Sequence, residues 1–393
     1  MRILLVSDYA TPTGGAELMV LMLRDALRLR GHDARLLASS ARPLGIPSQA
    51  DYECFGMTSR LRGLTQVANP SAYLSLHRIL QNFKPDIVHV RLFLSQLSPL
   101  ILPLLENVPA IFHEAWYRSI CPIGTKLLPG FTRCHEHAGL ACLKNGCVPA
   151  YAWPFQMTQM KLWLRWKSAF DVVVANSHAT RSRLEADGIQ TAEVIWNGVP
   201  VRAARRPLAD PPVVAFAGRL VPEKGADVLL EAFAKVVKRI PNATLLIAGD
   251  GPERHRLQAK IEQLSLGSRI VMLGHLSRTQ LEDHFAGAWV QVVPSRWEEP
   301  FGIVAAEGMM RGTAVIASNT GGLAELIQDG ENGILLAPSD PATLATSILS
   351  LLENPAKTDR MGMSGREFAM RYLSEEVFVD RFVNLYQSLA RPC

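Results

Sequence analysis

The sequence lacks any long uninterrupted apolar segment. Nowhere in its 393 residues is there an apolar run of about 18 residues, the minimum that a membrane-spanning helix needs. Met1 and Arg2 carry one basic side chain, and the apolar stretch that follows, Ile3–Val6, is too short for a signal peptide and is typical of a buried strand. We therefore expect a cytoplasmic protein without a transmembrane helix.

Charged residues are few, and they are unevenly distributed. They make up 20% of the chain against 48% hydrophobic residues, a balance that excludes a disordered protein. A length of 393 residues is more than one hydrophobic core usually supports, so two domains are expected. Residues 1–200 contain 20 Lys and Arg against 14 Asp and Glu, whereas the remainder contains 21 against 22. The basic first half predicts an acidic partner surface, and we expect no nucleic-acid partner.

Cysteine is also uncommon, and its spacing lacks the Cys-x2-Cys pairs of common zinc sites. Four of the six cysteines fall within one loop, residues 121–147, at Cys121, Cys134, Cys142 and Cys147, with 12, 7 and 4 residues between them. Zinc at these four soft ligands is one interpretation and reduced thiols are the preferred one. Disulfides are not expected in a reducing compartment. We expect no cofactor. We also expect no catalytic metal, because the chain lacks an Asp-x-Asp triplet.

Apolar runs alternate with helical patterns along both halves of the chain, which predicts two doubly wound parallel α/β domains. The predicted strands of the first half lie at residues 2–7, 33–38, 86–90, 110–113, 172–175 and 193–196. Residues 202–212, with three Arg and three Pro, predict a linker. The predicted strands of the second half lie at residues 213–217, 244–248, 270–273, 289–293 and 314–317.

The most informative stretch is residues 293–308, where an apolar strand stops at Pro294 and a helix is predicted after Gly302. Ligands of open α/β sheets bind at such junctions, and the free N–H groups of a first helical turn favour an anion. Glu299 precedes the predicted helix and Glu307 lies two turns into it, with seven residues between them. The sequence therefore predicts two acids on either side of one phosphate-sized site.

The string Glu-Pro-Phe-Gly followed by a second acid resembles the Glu-x7-Glu signature of the retaining nucleotide-sugar glycosyltransferases of family four. The resemblance implies that Glu299 holds hydroxyls of the donor sugar and that Glu307 holds the ribose hydroxyls. A carboxylate can accept two hydroxyl hydrogens at once, whereas backbone amides can bind the diphosphate. The backbone expected to contact the donor is at Phe301, Gly302, Ile303 and Val304.

The same resemblance implies the GT-B fold, two facing Rossmann-like domains with a deep interdomain cleft. The expected domains are residues 1–200 for the acceptor, residues 201–374 for the nucleotide-sugar donor, and a helix at residues 375–393 that crosses back to the first domain. That last helix carries an apolar stripe that needs a partner surface, formed by Phe378, Phe382, Leu385, Tyr386 and Leu389.

Two further loops of the second domain match the family. Gly218 and Arg219, followed by Lys224, resemble its Gly-Arg-x4-Lys-Gly element, which implies that Arg219 and Lys224 neutralise the departing diphosphate. A solvated charged loop is the alternative. His275 and Leu276 follow the next-but-one strand and resemble a segment that contacts the base through its backbone.

The first domain offers fewer candidates. Gly14 and Gly15 form a strand-to-helix turn that lets backbone approach a phosphate or sugar, although a glycine pair is also ordinary turn chemistry. His113 ends an apolar strand and is a candidate catalytic group, although a histidine there is often structural. The family often has Asp after this histidine, but this chain has Glu114.

Residues 151–170 predict a helix in which aromatic residues, Trp163 and Trp166 among them, alternate with basic residues such as Lys167. Aromatic and basic residues together are typical of a membrane interface, and packing between domains is the alternative. We expect a peripheral protein at the inner face of the cell membrane that binds anionic lipid.

Together these patterns predict a metal-independent retaining glycosyltransferase. It would move a hexosyl-type sugar from a nucleotide-diphospho-sugar to a hydroxyl of a glycan or lipid-linked acceptor, in cell-surface polysaccharide or glycolipid biosynthesis. A GT-B epimerase or phosphorylase, or a non-catalytic partner protein of the same fold, are the alternatives.

Overall fold

The computed structural model describes residues 1–12, 14–59 and 62–390 and divides into two compact units. One unit comprises Met1–Gly198 and Glu375–Cys393, and the other comprises Val199–Ser374. Each unit is built on one parallel sheet flanked by helices.

Unit 1 has a seven-stranded sheet in the order β3-β2-β1-β4-β5-β6-β7. Its strands are β1 (Arg2–Val6), β2 (Asp33–Ser39), β3 (Tyr52–Cys54), β4 (Ile87–Val90), β5 (Ala110–His113), β6 (Val172–Ala175) and β7 (Glu193–Val194). Its helices are α1 (Gly15–Leu29), α2 (Arg62–Val67), α3 (Pro70–Phe83), α4 (Leu140–Lys144), α5 (Trp153–Trp166) and α6 (His178–Ala186), together with the last helix of the chain, α14 (Glu375–Leu389).

Unit 2 has a six-stranded sheet in the order β10-β9-β8-β11-β12-β13. Its strands are β8 (Val213–Ala217), β9 (Thr244–Ala248), β10 (Ile270–Gly274), β11 (Val290–Val293), β12 (Ala314–Ser318) and β13 (Ile334–Leu336). Its helices are α7 (Ala226–Arg239), α8 (Arg254–Gln263), α9 (Arg278–Phe285), α10 (Ile303–Arg311), α11 (Leu323–Leu326), α12 (Pro341–Leu352) and α13 (Pro355–Tyr372).

The central strands are apolar because helices cover both faces of each sheet. Residues 3–6 of β1 and all four residues of β4 and of β11 are buried. In unit 2, β11 lies between β8 and β12, and all three run parallel. The loops that follow these three strands therefore leave the same edge of the sheet next to one another.

The short edge strands β3 and β13 were not predicted. Each has three residues, and only Cys54 among the six is buried, so neither has the apolar run by which the other strands were recognised. The predicted strand at residues 193–196 is shorter in the structure, at Glu193–Val194. The predicted strand at residues 289–293 begins one residue later, at Val290, although the backbone N–H of Trp289 already donates to the carbonyl oxygen of Val213 in β8 at 2.9 Å.

Helix α5 is shorter than the predicted helix at residues 151–170, and the expectation for one of its aromatic residues was wrong. Trp163 is fully buried among Phe93, Phe112 and Phe170, and its indole N–H donates to the carbonyl oxygen of Ser119 at 2.9 Å. Trp163 is therefore a core residue and not a membrane-facing one.

Across residues 1–12, 14–59 and 62–390, no helix is both long enough and apolar enough to cross a bilayer.

Helix α14 packs on unit 1, as the resemblance implied. Phe378, Phe382 and Tyr386 are buried, while Leu385 and Leu389 are partly exposed. The Tyr386 hydroxyl lies 2.5 Å from Nδ1 of His89 at the carboxyl end of β4. On the side of α14 away from these buried rings, Asp380 forms a surface ion pair with Arg30, the residue after α1. The apolar stripe read from the sequence thus covers the carboxyl ends of the unit 1 strands.

Candidate active site

In unit 2 the predicted site is built where β11 turns into α10. Gly302 precedes the helix with φ +101°, and a Cβ there would overlap the side chain of Leu323. Only glycine adopts this conformation readily, so Gly302 ends the loop and lets α10 begin at Ile303. The first N–H groups of the helix lie at this end without intrahelical partners, which favours an anion.

A second glycine brings the neighbouring loop against this one. Gly225 has φ +68°, and a Cβ there would overlap the carbonyl oxygen of Pro294. The loop that contains Gly218, Arg219 and Lys224 follows β8, the neighbour of β11. The two loops predicted from separate motifs are therefore packed backbone to backbone.

Lys224 and Glu299 form the centre of this arrangement. The Lys224 ammonium lies 2.6 Å from Oε1 of Glu299, and the Ser295 hydroxyl donates to the same oxygen at 2.6 Å. The side chains of Lys224 and Glu299 are 19% and 8% exposed. Burial would raise the pKa of Glu299, but Lys224 and Ser295 outweigh it and hold the pKa below its ordinary value. The carboxylate is therefore ionised at neutral pH and is directly neutralised by Lys224.

Arg219 has a different environment. Its side chain is 67% exposed, and its nearest acid, Glu223, is 4.0 Å away, a surface pair worth little free energy. Its planar fork of donors is thus available to an anion at the same edge of the sheet.

Glu307 lies further along α10 and has a partner that the sequence did not indicate. Nη2 of Arg278, the first residue of α9, lies 3.0 Å from Oε1 of Glu307, and both side chains are less than one fifth exposed.

Of the other predicted donor residues, Phe301 is buried, whereas His275 is exposed and follows the edge strand β10. Phe301 can therefore contribute only through its backbone.

The predicted residues of unit 1 lie at the carboxyl ends of its strands. Gly14 is the N-cap of α1, and Gly15 is the first residue of that helix. His113 is fully buried at the end of β5 against the rings of Phe378 and Phe382. His113 is therefore packed in the core of unit 1, between β5 and α14.

Arg91, which the sequence did not indicate, organises this end of unit 1. Its Nη1 lies 2.7 Å from Nδ1 of His113, and its Nη2 donates to Oδ1 of Asn197 at 3.0 Å. Burial, reinforced by the charge of Arg91, lowers the pKa of His113 well below its ordinary value. The imidazole is therefore neutral, and it can accept a hydrogen bond from Arg91.

Glu114, next to His113, is a buried carboxyl whose pKa is strongly raised. Burial raises its pKa to about 8, although the Ser119 hydroxyl and backbone amides donate to it and lower the pKa. At neutral pH it is mainly protonated, so it does not act there as a carboxylate.

Comparison with known proteins places these motifs in one family. Residues 200–368 match the model of glycosyl transferases group 1, and residues 13–203 match the model of glycosyltransferase family 4. The chain is 28% identical to a glycogen synthase of Mycobacterium tuberculosis over 93% of its own length and 90% of that protein. It is also 28% identical to a phosphatidyl-myo-inositol mannosyltransferase of Mycobacterium tuberculosis, over 99% and 97% of the two chains.

The structure is similar to that of a sucrose-phosphate synthase from Thermosynechococcus elongatus, with a TM-score of 0.74, 22% identity and 99% coverage of both chains. That likeness confirms the GT-B class of fold, with two parallel-sheet α/β domains. The matches do not favour the alternatives of an epimerase, a phosphorylase or a non-catalytic protein. From the two family models, which between them span residues 13–368, we conclude that the chain belongs to glycosyltransferase family four and is a glycosyltransferase.

Proposed function

We propose that the protein transfers a hexosyl-type sugar from a nucleotide-diphospho-sugar to a hydroxyl group of a glycan or lipid-linked acceptor. The reaction would retain the configuration at the anomeric carbon and would need no metal ion. The observation that carries the proposal is the cluster of Lys224, Glu299 and Ser295 at the loop before α10. It combines a cation for phosphate with a carboxylate for sugar hydroxyls.

The charges of this site suit a diphosphate leaving group. Lys224 and Arg219 lie in one loop, and the N–H groups of Ile303 and Val304 begin a helix at the neighbouring strand end. Negative charge develops on the diphosphate as the bond to the sugar breaks, and preorganised donors stabilise that charge. These groups would take the part that a divalent cation plays in other transferases.

Lys224 and Glu299 are bonded to each other in the structure, so donor binding must change their contacts. A sugar hydroxyl could share the Glu299 carboxylate, because each carboxylate oxygen accepts more than one hydrogen bond. A phosphate oxygen could in turn take one of the three ammonium hydrogens of Lys224. The ion pair would thus hold both groups in place before the donor arrives.

Glu307 is proposed to hold the two ribose hydroxyls. Arg278 donates to its Oε1 at 3.0 Å and so restricts the orientation of the carboxylate. The second oxygen can still accept a hydroxyl hydrogen. The base would then lie near His275 and Leu276 and meet backbone groups there.

The retaining outcome would come from a front-face reaction. A leaving-group oxygen of the diphosphate would take the proton of the acceptor hydroxyl while Arg219 and Lys224 stabilise the developing charge. Glu299 is tied to Lys224 and Ser295, which favours a binding role for it over that of a covalent nucleophile.

The acceptor proposal rests on the relatives, one named for glycogen and one for a phosphatidylinositol lipid. A lipid-linked acceptor would fit a peripheral membrane location. The outward residues of α5 support it, since Phe155 and Leu164 are about two fifths exposed and Lys161 and Arg165 are exposed beside them.

A panel of UDP-, GDP- and ADP-sugars tests the proposal. A donor at 100 times its dissociation constant should stabilise the protein by about 2.7 kcal/mol, which raises the melting temperature. The stabilising donor is then incubated with glycan and lipid-linked acceptors, and the product is identified by mass spectrometry and its anomeric configuration by NMR. If no nucleotide sugar stabilises the protein and none is consumed with any acceptor, the proposal is wrong.

A further inference from the structure

The loop of residues 121–147 has almost no hydrophobic core. From residue 127 to residue 147 no residue is buried. Leu140 is 61% exposed and Leu143 is 36% exposed, so both leucines of α4 face outward. A segment that buries so little apolar surface usually needs a disulfide or a metal to hold one conformation.

The four cysteines lie on three local structures of this loop. A turn after β5 ends at Cys121, whose N–H donates to the carbonyl oxygen of Tyr117 at 2.8 Å. A hairpin ends at Cys134, whose N–H donates to the carbonyl oxygen of Lys126 at 2.9 Å. Helix α4 carries Cys142, and the turn after it carries Cys147.

All four cysteines line one small cavity. Its volume is about 10 Å³, room for a single water-sized sphere, and the four cysteines form its wall together with Leu127 and Leu128. The described cysteines form no disulfide. As the side chains stand, no three His, Cys, Asp or Glu residues in the described parts of the chain form a metal-binding group. Rotation about the Cα–Cβ bond moves a sulfur between staggered positions without moving the backbone.

A buried cation lies beside the cavity. Lys126 is 3% exposed, donates to the carbonyl oxygen of Glu136 at 2.8 Å and pairs with Asp187 at 2.7 Å. Four thiolates around one divalent cation leave two negative charges, which a neighbouring cation and hydrogen-bond donors stabilise.

We propose that Cys121, Cys134, Cys142 and Cys147 bind one Zn²⁺ ion, which closes the cavity and holds the loop in place of a hydrophobic core. Zinc accepts four thiolates in a closed tetrahedral site, and such structural sites need no open position for a substrate. The irregular spacing of the cysteines does not exclude the site, because the hairpin and α4 bring together residues that are distant in sequence. This zinc would be structural and separate from the sugar-transfer chemistry.

The test is metal analysis of the full-length protein, purified without chelators and reconstituted with zinc chloride. Mass spectrometry of the metal should find one zinc per chain, and titration with a mercurial should release it as four thiols react. The double variant Cys142→Ser, Cys147→Ser should lose the zinc. The matched control Cys54→Ser, at a buried cysteine of β3, should keep it.

The mercurial titration uses the wild-type chain, so it stands even if the double variant fails to fold. A reconstituted wild-type protein without zinc would overturn the proposal. Peptide mapping would then show whether the thiols are free or joined in disulfides, and both results count against zinc. Retention of zinc by the folded double variant would also overturn the assignment to these cysteines.

Discussion

At the scale of single residues, Lys224 and Arg219 have the same predicted role but different environments. Lys224 is held against the buried Glu299, whereas Arg219 is two thirds exposed. Loss of Lys224 therefore leaves a buried carboxylate unpaired, which costs about 3–5 kcal/mol of stability. Loss of Arg219 leaves no such charge. The two variants should separate catalysis from folding.

We predict that Arg219→Ala lowers kcat by roughly 100-fold or more with an unchanged melting temperature, as loss of a preorganised donor does elsewhere. Lys224→Ala should lower both kcat and the melting temperature. Steady-state kinetics and thermal melting provide the measurements, and Lys235→Ala, at an exposed lysine of α7, is the matched control. Turnover of Arg219→Ala within the error of the wild type would remove this residue from the mechanism.

The two acids of the Glu-x7-Glu motif should give different defects. Glu307→Gln should weaken the binding of free nucleotide by about 1.5–3 kcal/mol, the range of a hydrogen bond to a charged group. Glu299→Gln should depress turnover while free-nucleotide affinity changes little, because its predicted contact is with the sugar. Isothermal titration calorimetry with the free nucleoside diphosphate distinguishes the two. Equal losses of nucleotide affinity would contradict the assigned roles.

Glu114 predicts a pH-dependent stability. Its pKa is raised from 4.5 to about 8 in the folded protein, so between these values the folded state holds a proton that the unfolded state has released. Stability therefore falls as pH rises through this window and levels off above it. Glu114→Gln should abolish that dependence, so its melting temperature relative to the wild type should rise from acid to alkaline pH. A constant difference across the window would show that Glu114 is not titrating there.

At the scale of helices and strands, the sequence predicted the strands with continuous apolar runs and missed the short edge strands β3 and β13. The buried strands β1, β4 and β5 were recognised because helices cover both of their faces. The edge strand β3 has a single buried residue, so its position depends on pairing with β2 and not on its own pattern. The same reason applies to β13.

Helix α5 shows how composition alone can mislead. Its aromatic and basic residues predicted a membrane surface, but they lie on two different faces of the helix. Trp163 and Met160 face the core, whereas Phe155, Lys161 and Leu164 face outward. Trp163→Ser would thus remove a core side chain at a cost of about 3–5 kcal/mol and cannot test membrane binding. The outward residues can.

We predict that the protein sediments with anionic phospholipid vesicles at low salt and is released at high salt, because ions screen the attraction between the basic surface and the lipid. The triple variant Phe155→Ser, Lys161→Glu, Leu164→Ser should lose most of the binding and keep its melting temperature. Lys235→Glu in unit 2 controls for net charge. If the wild type ignores anionic vesicles at low salt, the outer face of α5 is not a membrane surface and the acceptor is not presented by a bilayer there.

At the scale of the whole molecule, the motifs predicted which strand ends meet, but not which side chains pair. Lys224 and Glu299 are 75 residues apart and Arg91 and Asn197 are 106 apart, so their contacts depend on sheet order and loop packing. The resemblance gave Lys224 and Glu299 separate roles, whereas the structure joins them in one ion pair. No local pattern could have shown this, because each motif was recognised by its own spacing.

The charges of unit 2 predict that sugar transfer needs no divalent cation at the donor. If Lys224, Arg219 and the start of α10 stabilise the leaving diphosphate, no divalent cation is needed at the donor. The initial rate of the zinc-loaded enzyme should then be unchanged by brief treatment with EDTA and by added Mg²⁺ or Mn²⁺. Zinc analysis after the EDTA treatment ensures that the structural ion is still bound. Loss of activity with EDTA that Mg²⁺ restores, while zinc stays bound, would show that a metal and not the lysine–arginine loop carries the charge of the diphosphate.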